Sequence, residues 1–283
     1  MRKILSTGLF IPMSKLIIFA LSLSTASLCY ANLMITPTRV VFEEGQRTHE
    51  VTLVNRSNEV KTYRIELTNK IQNPNGGYLD ISPTASFPGK SAIDFIRYSP
   101  RVVTIQPGKY QKIKLYTRFP NSVEPGEYRV HLAMRSIASK KSNQERKNSE
   151  GLQTQIVPRM SFSIPIMIRR GESSVQTKVT SVEFVPPKND QSKPNLDIEV
   201  ARFGNFSSYG KVTAYMKKPN SGQVEKIGQV NNISVYPELD SRHVKIPLWV
   251  QSIPSGAIVQ VVYEGEEEYE GETLGIAAFK YTQ

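Results

Sequence analysis

The stretch Gln155–Gly171, QIVPRMSFSIPIMIRRG, alternates two kinds of side chain along its length. Ile156, Pro158, Met160, Phe162, Ile164, Ile166 and Ile168 fall on one parity, and Arg159, Ser161, Ser163, Pro165 and Arg169 on the other. Period two over about a dozen residues is the pattern of a β-strand with one apolar and one wet face. A usual strand runs to about 5–6 residues, so this one is long. Proline lacks the N–H that a ladder needs, and two prolines place such a strand at a sheet edge or a bulge. Pro158 and Pro165 have opposite parity, so in a regular strand one strikes the paired edge and one the open edge. Long apolar edges are normally blunted by charge, yet here the charge is confined to the ends. Two readings follow: a long core strand closing its own sandwich, or an edge made to pair with another chain. The second is the working expectation.

Outside this stretch, β-branched and aromatic residues abound and helical periodicity is rare, which predicts an all-β protein. The 283 residues suffice for two ordinary domains, and the formal charge is +11. Residues 1–31 read as a secretory signal peptide. Lys15 precedes the apolar run LIIFALSLSTASL, and Cys29 and Ala31 supply small residues for cleavage after Ala31. The start is either Met1 or Met13. Removing Arg2, Lys3 and Lys15 with this leader leaves +8, a solvated basic surface that also favours acidic partners. Cleavage after Ala31 also removes the single cysteine, so the exported chain is held by its cores and not by disulfides.

Strand patterns fall at Leu33–Phe42, broken at Pro37, then at Thr48–Asn55, Lys61–Thr68, Val102–Ile105, Tyr110–Thr117 and Glu127–Ser136. Residues 72–92, dense in proline and glycine, read as loop, and Ser139–Gly151 as a charged, mobile loop. Short strands at this spacing predict an immunoglobulin-like β-sandwich over residues 32–170. A second β-sandwich follows over 171–283, with strands at Val175–Val185, Leu196–Arg202, Lys211–Met216, Ile227–Val235, Arg242–Val250, Ala257–Tyr263 and Thr273–Tyr281. No linker rich in Pro or Ser separates the two, which predicts domains set at a fixed angle, an L or boomerang, with a cleft between them.

The sequence assembles no nucleophile with a base, no P-loop and no metal-ligand spacing. His49, His131 and His243 sit apart on predicted strands. The acidic run Glu264–Glu272 reads as a solvated hairpin tip and not as a cation site. No enzyme, cofactor, metal, small-molecule substrate or nucleic-acid partner is expected.

Several segments together resemble the periplasmic pilus chaperones of chaperone–usher assembly. Thr38-Arg39-Val40-Val41-Phe42 is similar to the T-R-V-I-F opening of that family. Pro100 through Gly108 resembles its P-x-x-x-x-L-x-P-G segment, and Gly126-Glu127-Tyr128-Arg129 a variant of its penultimate strand. Arg202-Phe203-Gly204-Asn205 fits a turn of the second domain. The resemblance implies donor-strand complementation, an established mode of β-strand addition. On it, Ile156, Pro158, Met160, Phe162 and Ile164 fill the groove of a pilin-like subunit. The family's cleft arginine and lysine hold the client's C-terminal carboxylate. Arg39 matches the arginine. Pro165 stands where the lysine belongs, leaving Arg169, or else Arg170, as the second cation. Implied partners are pilin-like subunits and an outer-membrane usher, with self-association when no client is bound. The implied location is the periplasm. The alternative is a structural or adhesive surface protein that uses the same two sandwiches. A carbohydrate-binding module has only Trp249 to offer as a stacking face.

Overall fold

Alternation of inward apolar and outward polar residues sets nearly every strand of the computed structural model. It describes residues 33–81, 85–120, 122–137, 160–187, 189, 192–219 and 222–282. The expected signal peptide, the loop at 139–151, Ile156 and Pro158 lie outside the described residues.

The first sandwich contains β1 (Leu33–Thr36), β2 (Val40–Phe42), β3 (Thr48–Asn55), β4 (Lys61–Thr68), β5 (Lys70–Gln72), β6 (Tyr78–Asp80), β7 (Lys90–Ser91), β8 (Ile96–Ser99), β9 (Val102–Ile105), β10 (Tyr110–Thr117), β11 (Gly126–Ile137) and β12 (Ser161–Arg170). One sheet has the order β1-β3-β10-β8. The other has the order β2-β12-β11-β4-β9, with β7 on β11. Pro37 interrupts the first strand pattern, and the two pieces go to different sheets: β1 pairs with β3, and β2 with β12. The core lies between the sheets. Val51, Leu53, Ile113 and Leu115 enter from one side; Ile65, Val130, Leu132, Met134, Ile164, Ile166 and Ile168 enter from the other.

The second sandwich contains β13 (Gln176–Val185), β14 (Asn195–Phe203), β15 (Ser208–Lys217), β16 (Val224–Val235), β17 (Ser241–Pro247), β18 (Ile258–Gly265) and β19 (Thr273–Lys280). Its sheets run β13-β14-β17 and β16-β15-β18-β19 around a separate core. The all-β, two-sandwich expectation is met.

Two differences stand out. The stretch expected to be loop, 72–92, holds the end of β5 and all of β6, which pair as a hairpin, and all of β7, and β8 had no counterpart among the expected strands. Strands of two to four residues are too short to show a period, and the hairpin is held by the second domain, which local sequence does not reveal. Gln72 donates to the Ser234 carbonyl at 2.9 Å and accepts from the Tyr236 amide at 3.0 Å. The Pro74 carbonyl accepts from the His243 amide at 2.7 Å, and the Tyr78 and Tyr236 hydroxyls meet at 3.2 Å.

The long alternating stretch is also less open than expected. β12 pairs with β11 along its whole described length, from Arg170 opposite Gly126 to Ser161 opposite Arg135. On its other side β2 pairs only with Ile166–Ile168. The strand is therefore closed on both sides at its end and has no second neighbour over Ser161–Pro165 among the described residues.

Candidate functional site: an open strand edge and a buried arginine pair

Backbone direction along β12 follows from one bond outside the ladder, the Ser136 amide to the Met160 carbonyl at 3.1 Å. With the register of β11, it turns the backbone groups of even-numbered residues toward β11. The groups of Ser161 and Ser163 therefore face the open edge, as does the Pro165 carbonyl. Pro165 has its missing N–H on that edge, where an N–H would otherwise await a partner. Strand addition needs such an edge, and the first half of β12 presents one.

The five expected groove residues are not equivalent. Met160 is 49% exposed. Phe162 is half-buried and packs against the core of its own domain. Ile164 is 4% exposed and belongs to that core, which departs from the expectation that it stands ready for a partner. The cause is pairing on β11, which aligns Ile164 with Leu132 and turns its side chain inward. Among the described residues the accessible apolar parity ends at Phe162.

Arg39 and Arg169 do come together, but not in an empty cleft. Arg39 precedes β2, and Arg169 lies near the end of β12; their side chains are 3% and 4% exposed. Both bind carboxylates of the protein itself. Arg39 Nη1 donates to Glu268 Oε2 at 2.6 Å and Nη2 to Glu268 Oε1 at 2.7 Å, a two-point fork. Arg39 Nη1 also reaches Glu267 at 3.1 Å, and the guanidinium lies over the Tyr209 ring. Arg169 Nη2 meets the same Glu268 at 2.8 Å, Nε donates to Glu127 at 3.0 Å, and Nη1 stands 3.5 Å from Glu43. Glu127 also accepts from the Ser207 hydroxyl at 2.8 Å, tying the two domains together. Arg170 is placed differently: it donates to the Pro120 carbonyl at 2.9 Å.

Burial alone would raise the Glu268 carboxyl, but the hydrogen bond from Arg39 and the charges of both arginines reverse this and hold it below the usual range. Burial alone would likewise lower Arg39, and Glu268 outweighs it to keep the guanidinium charged.

The acidic run is thus a hairpin tip, as expected, yet it is not simply solvated. A 3-10 turn at Glu267–Tyr269 joins β18 to β19 and carries Glu267 and Glu268 onto the first domain. Glu267 adopts φ 54, a left-handed conformation uncommon for a residue with a side chain. Gly265 passes so close beneath the turn that a Cβ would lie 2.0 Å from the Tyr269 carbonyl. The sequence signal for this contact was charge complementarity between an acidic run and two arginines, with no spacing to connect them.

A second buried pair, Arg129 with Glu238, also joins the domains, and Arg129 lies over the Tyr236 ring. No group of three or more His, Cys, Asp or Glu among the described residues is placed to hold a metal ion. No helix among them is long and apolar enough to cross a membrane.

Residues 32–169 match the model of the pili and flagellar-assembly chaperone family, PapD N-terminal domain. This segment belongs to the pilus-assembly chaperone family. The match ends at Arg169, one residue before the end of β12. No curated protein sequence matches the chain. Among solved structures, the chain resembles the class 5 fimbriae chaperone CfaA at 16% identity and TM-score 0.42, over 89% of this chain and 100% of that one. It also resembles the Pseudomonas aeruginosa CupB2 chaperone at 12% identity and TM-score 0.44, over 88% and 100%. A third is from a Salmonella enterica complex of SafA pilin with the SafB chaperone, at 9% identity and TM-score 0.42, over 88% and 96%.

Proposed function

We propose that this chain is a periplasmic chaperone that captures pilin-like subunits by donor-strand complementation and delivers them to an outer-membrane usher. The observation that carries the reading is the half-open strand. β12 is anchored along β11, while Ser161 and Ser163 turn their backbone groups to an edge that β2 does not cover. A subunit strand laid there gains ladder bonds from the backbone, and alternate apolar side chains enter its groove. Met160 and Phe162 supply that parity, together with Ile156 and Pro158 upstream. Ile164 supports the strand from within its own core. Arg39 stands where the open half ends, Arg169 lies past the residues paired with β2 and shares Glu268 with Arg39, and the two are the proposed anchor for the subunit's terminal carboxylate.

Each apolar anchor buried in a client contributes about 1.5–3 kcal/mol before ordering costs. Replacing Met160 and Phe162 together by Glu should therefore lower the yield of co-purified subunit from periplasmic extracts at least about tenfold. Phe162 also touches the core, so the Met160→Glu single variant, with an unchanged melting temperature, separates capture from folding. Undiminished subunit yield in both variants contradicts the reading.

A further inference from the structure

The anchor arginines already hold a carboxylate, and its placement gives it a role in capture. β2 begins with Val40 opposite Ile166, the point at which the open half of β12 ends. A strand added beside Ser161–Pro165 and running toward Arg170 meets the start of β2 and can go no further. Arg39 is the residue just before that start. A chain ending there offers Arg39 a two-oxygen terminal carboxylate. Glu268 now makes that same two-point contact, at 2.6 and 2.7 Å, and touches Arg169 at 2.8 Å.

We propose that Glu268 is a built-in stand-in for the client's terminal carboxylate, so that a subunit is anchored at Arg39 only by displacing it. The inference rests on the reading of Arg39 as a client anchor. Two arginines already face Glu43, Glu127, Glu267 and Glu268, so the site has no positive charge to spare for a fifth carboxylate. Glu127 is fully buried and bonded to Ser207, so an incoming terminus has no access to it. Glu268 is carried on a hairpin tip between β18 and β19, and its side chain is 18% exposed. Glu267 and Glu43 are more exposed, at 51% and 47%, but each meets a single guanidinium nitrogen, so Glu268 is the carboxylate whose two-point contact a terminus would take over. The empty site is thereby kept from binding stray carboxylates, and capture requires the strand and the terminus together.

The test uses the full chain and two synthetic peptides that copy the last twelve residues of the co-purified subunit, one with a free C-terminal carboxylate and one amidated. Calorimetric titration should show the wild-type protein binding the two within about threefold of each other. Glu268→Gln should bind the free acid about tenfold more tightly and leave the amide unchanged, and Arg39→Ala added to it should erase the gain. Glu268→Asp, which keeps the charge on a shorter arm, should show a smaller gain and guards against misfolding of the first variant. Equal gains for acid and amide, or no gain in either Glu268 variant, overturn the inference. If Met160→Glu still abolishes capture in that case, the strand reading survives without it. If Met160→Glu leaves capture intact, the strand reading falls, and the carboxylate exchange with it.

Discussion

His131 illustrates how one residue reports on the interior of this protein. It lies in β11, fully buried, with its ring edge-on to Tyr78 and Arg129 nearby. Burial, then the charges of Arg129 and Lys70, push its pKa from 6.5 down to about 2. The folded chain therefore keeps a neutral imidazole while the unfolded chain takes up a proton below pH 6.5. That uptake draws the equilibrium toward unfolding, so stability is lost as the pH falls. Between pH 7 and pH 5 the loss from this residue alone is about 2 kcal/mol. Chemical denaturation of the wild type and of His131→Gln across that range checks it: the variant should lose about that much less. Equal losses would mean that the ring is protonated in the folded state. The sequence placed His131 on a strand and gave no metal spacing, but burial on the domain-facing side of β11 was not legible from alternation. Glu127, Arg129 and His131 share a strand parity that would ordinarily read as solvent-facing.

At the scale of elements, long strands were readable, and short ones only where a turn or proline marked them. Thr48–Asn55, Lys61–Thr68, Val102–Ile105 and Tyr110–Thr117 have the same limits in the fold as in the pattern. The three of eight residues are long enough to show alternation, and the four-residue Val102–Ile105 is marked instead by the turn Gln106-Pro107-Gly108-Lys109 that follows it. The β5–β6 hairpin gave no such signal, because its stability is supplied from outside. Gln72 is fully buried and satisfies both the Ser234 carbonyl and the Tyr236 amide. Gln72→Ala should leave both groups without a partner and cost about 1–3 kcal/mol for each one stranded. A lower melting temperature, with domain 2 unfolding apart from domain 1 in calorimetry, is the expected result. An unchanged single transition would show that the hairpin does not hold the domains. For β12 the pattern correctly gave a strand of unusual length. It did not separate the half committed to the protein's own core from the half with an open edge, because Ile164 and Met160 share a parity and differ only in tertiary surroundings.

Over the whole molecule, the described residues fasten the two sandwiches at two places. One is the hairpin with Arg129 and Glu238; the other is the cluster of Arg39, Arg169, Glu127 and Glu268. The expected site arginines thus also fasten the domains, which couples the proposed client anchor to the joint between them. This coupling was not legible because its partners are separated by up to 229 positions in sequence. The central claim remains the strand edge. Its most direct measurement is amide hydrogen exchange at Ser161 and Ser163 in the free protein and in its complex with the co-purified subunit. Exchange at both amides should slow at least about tenfold in the complex, because an added strand hydrogen-bonds the edge they face. A stable complex in which both amides exchange as fast as in the free protein would contradict the account.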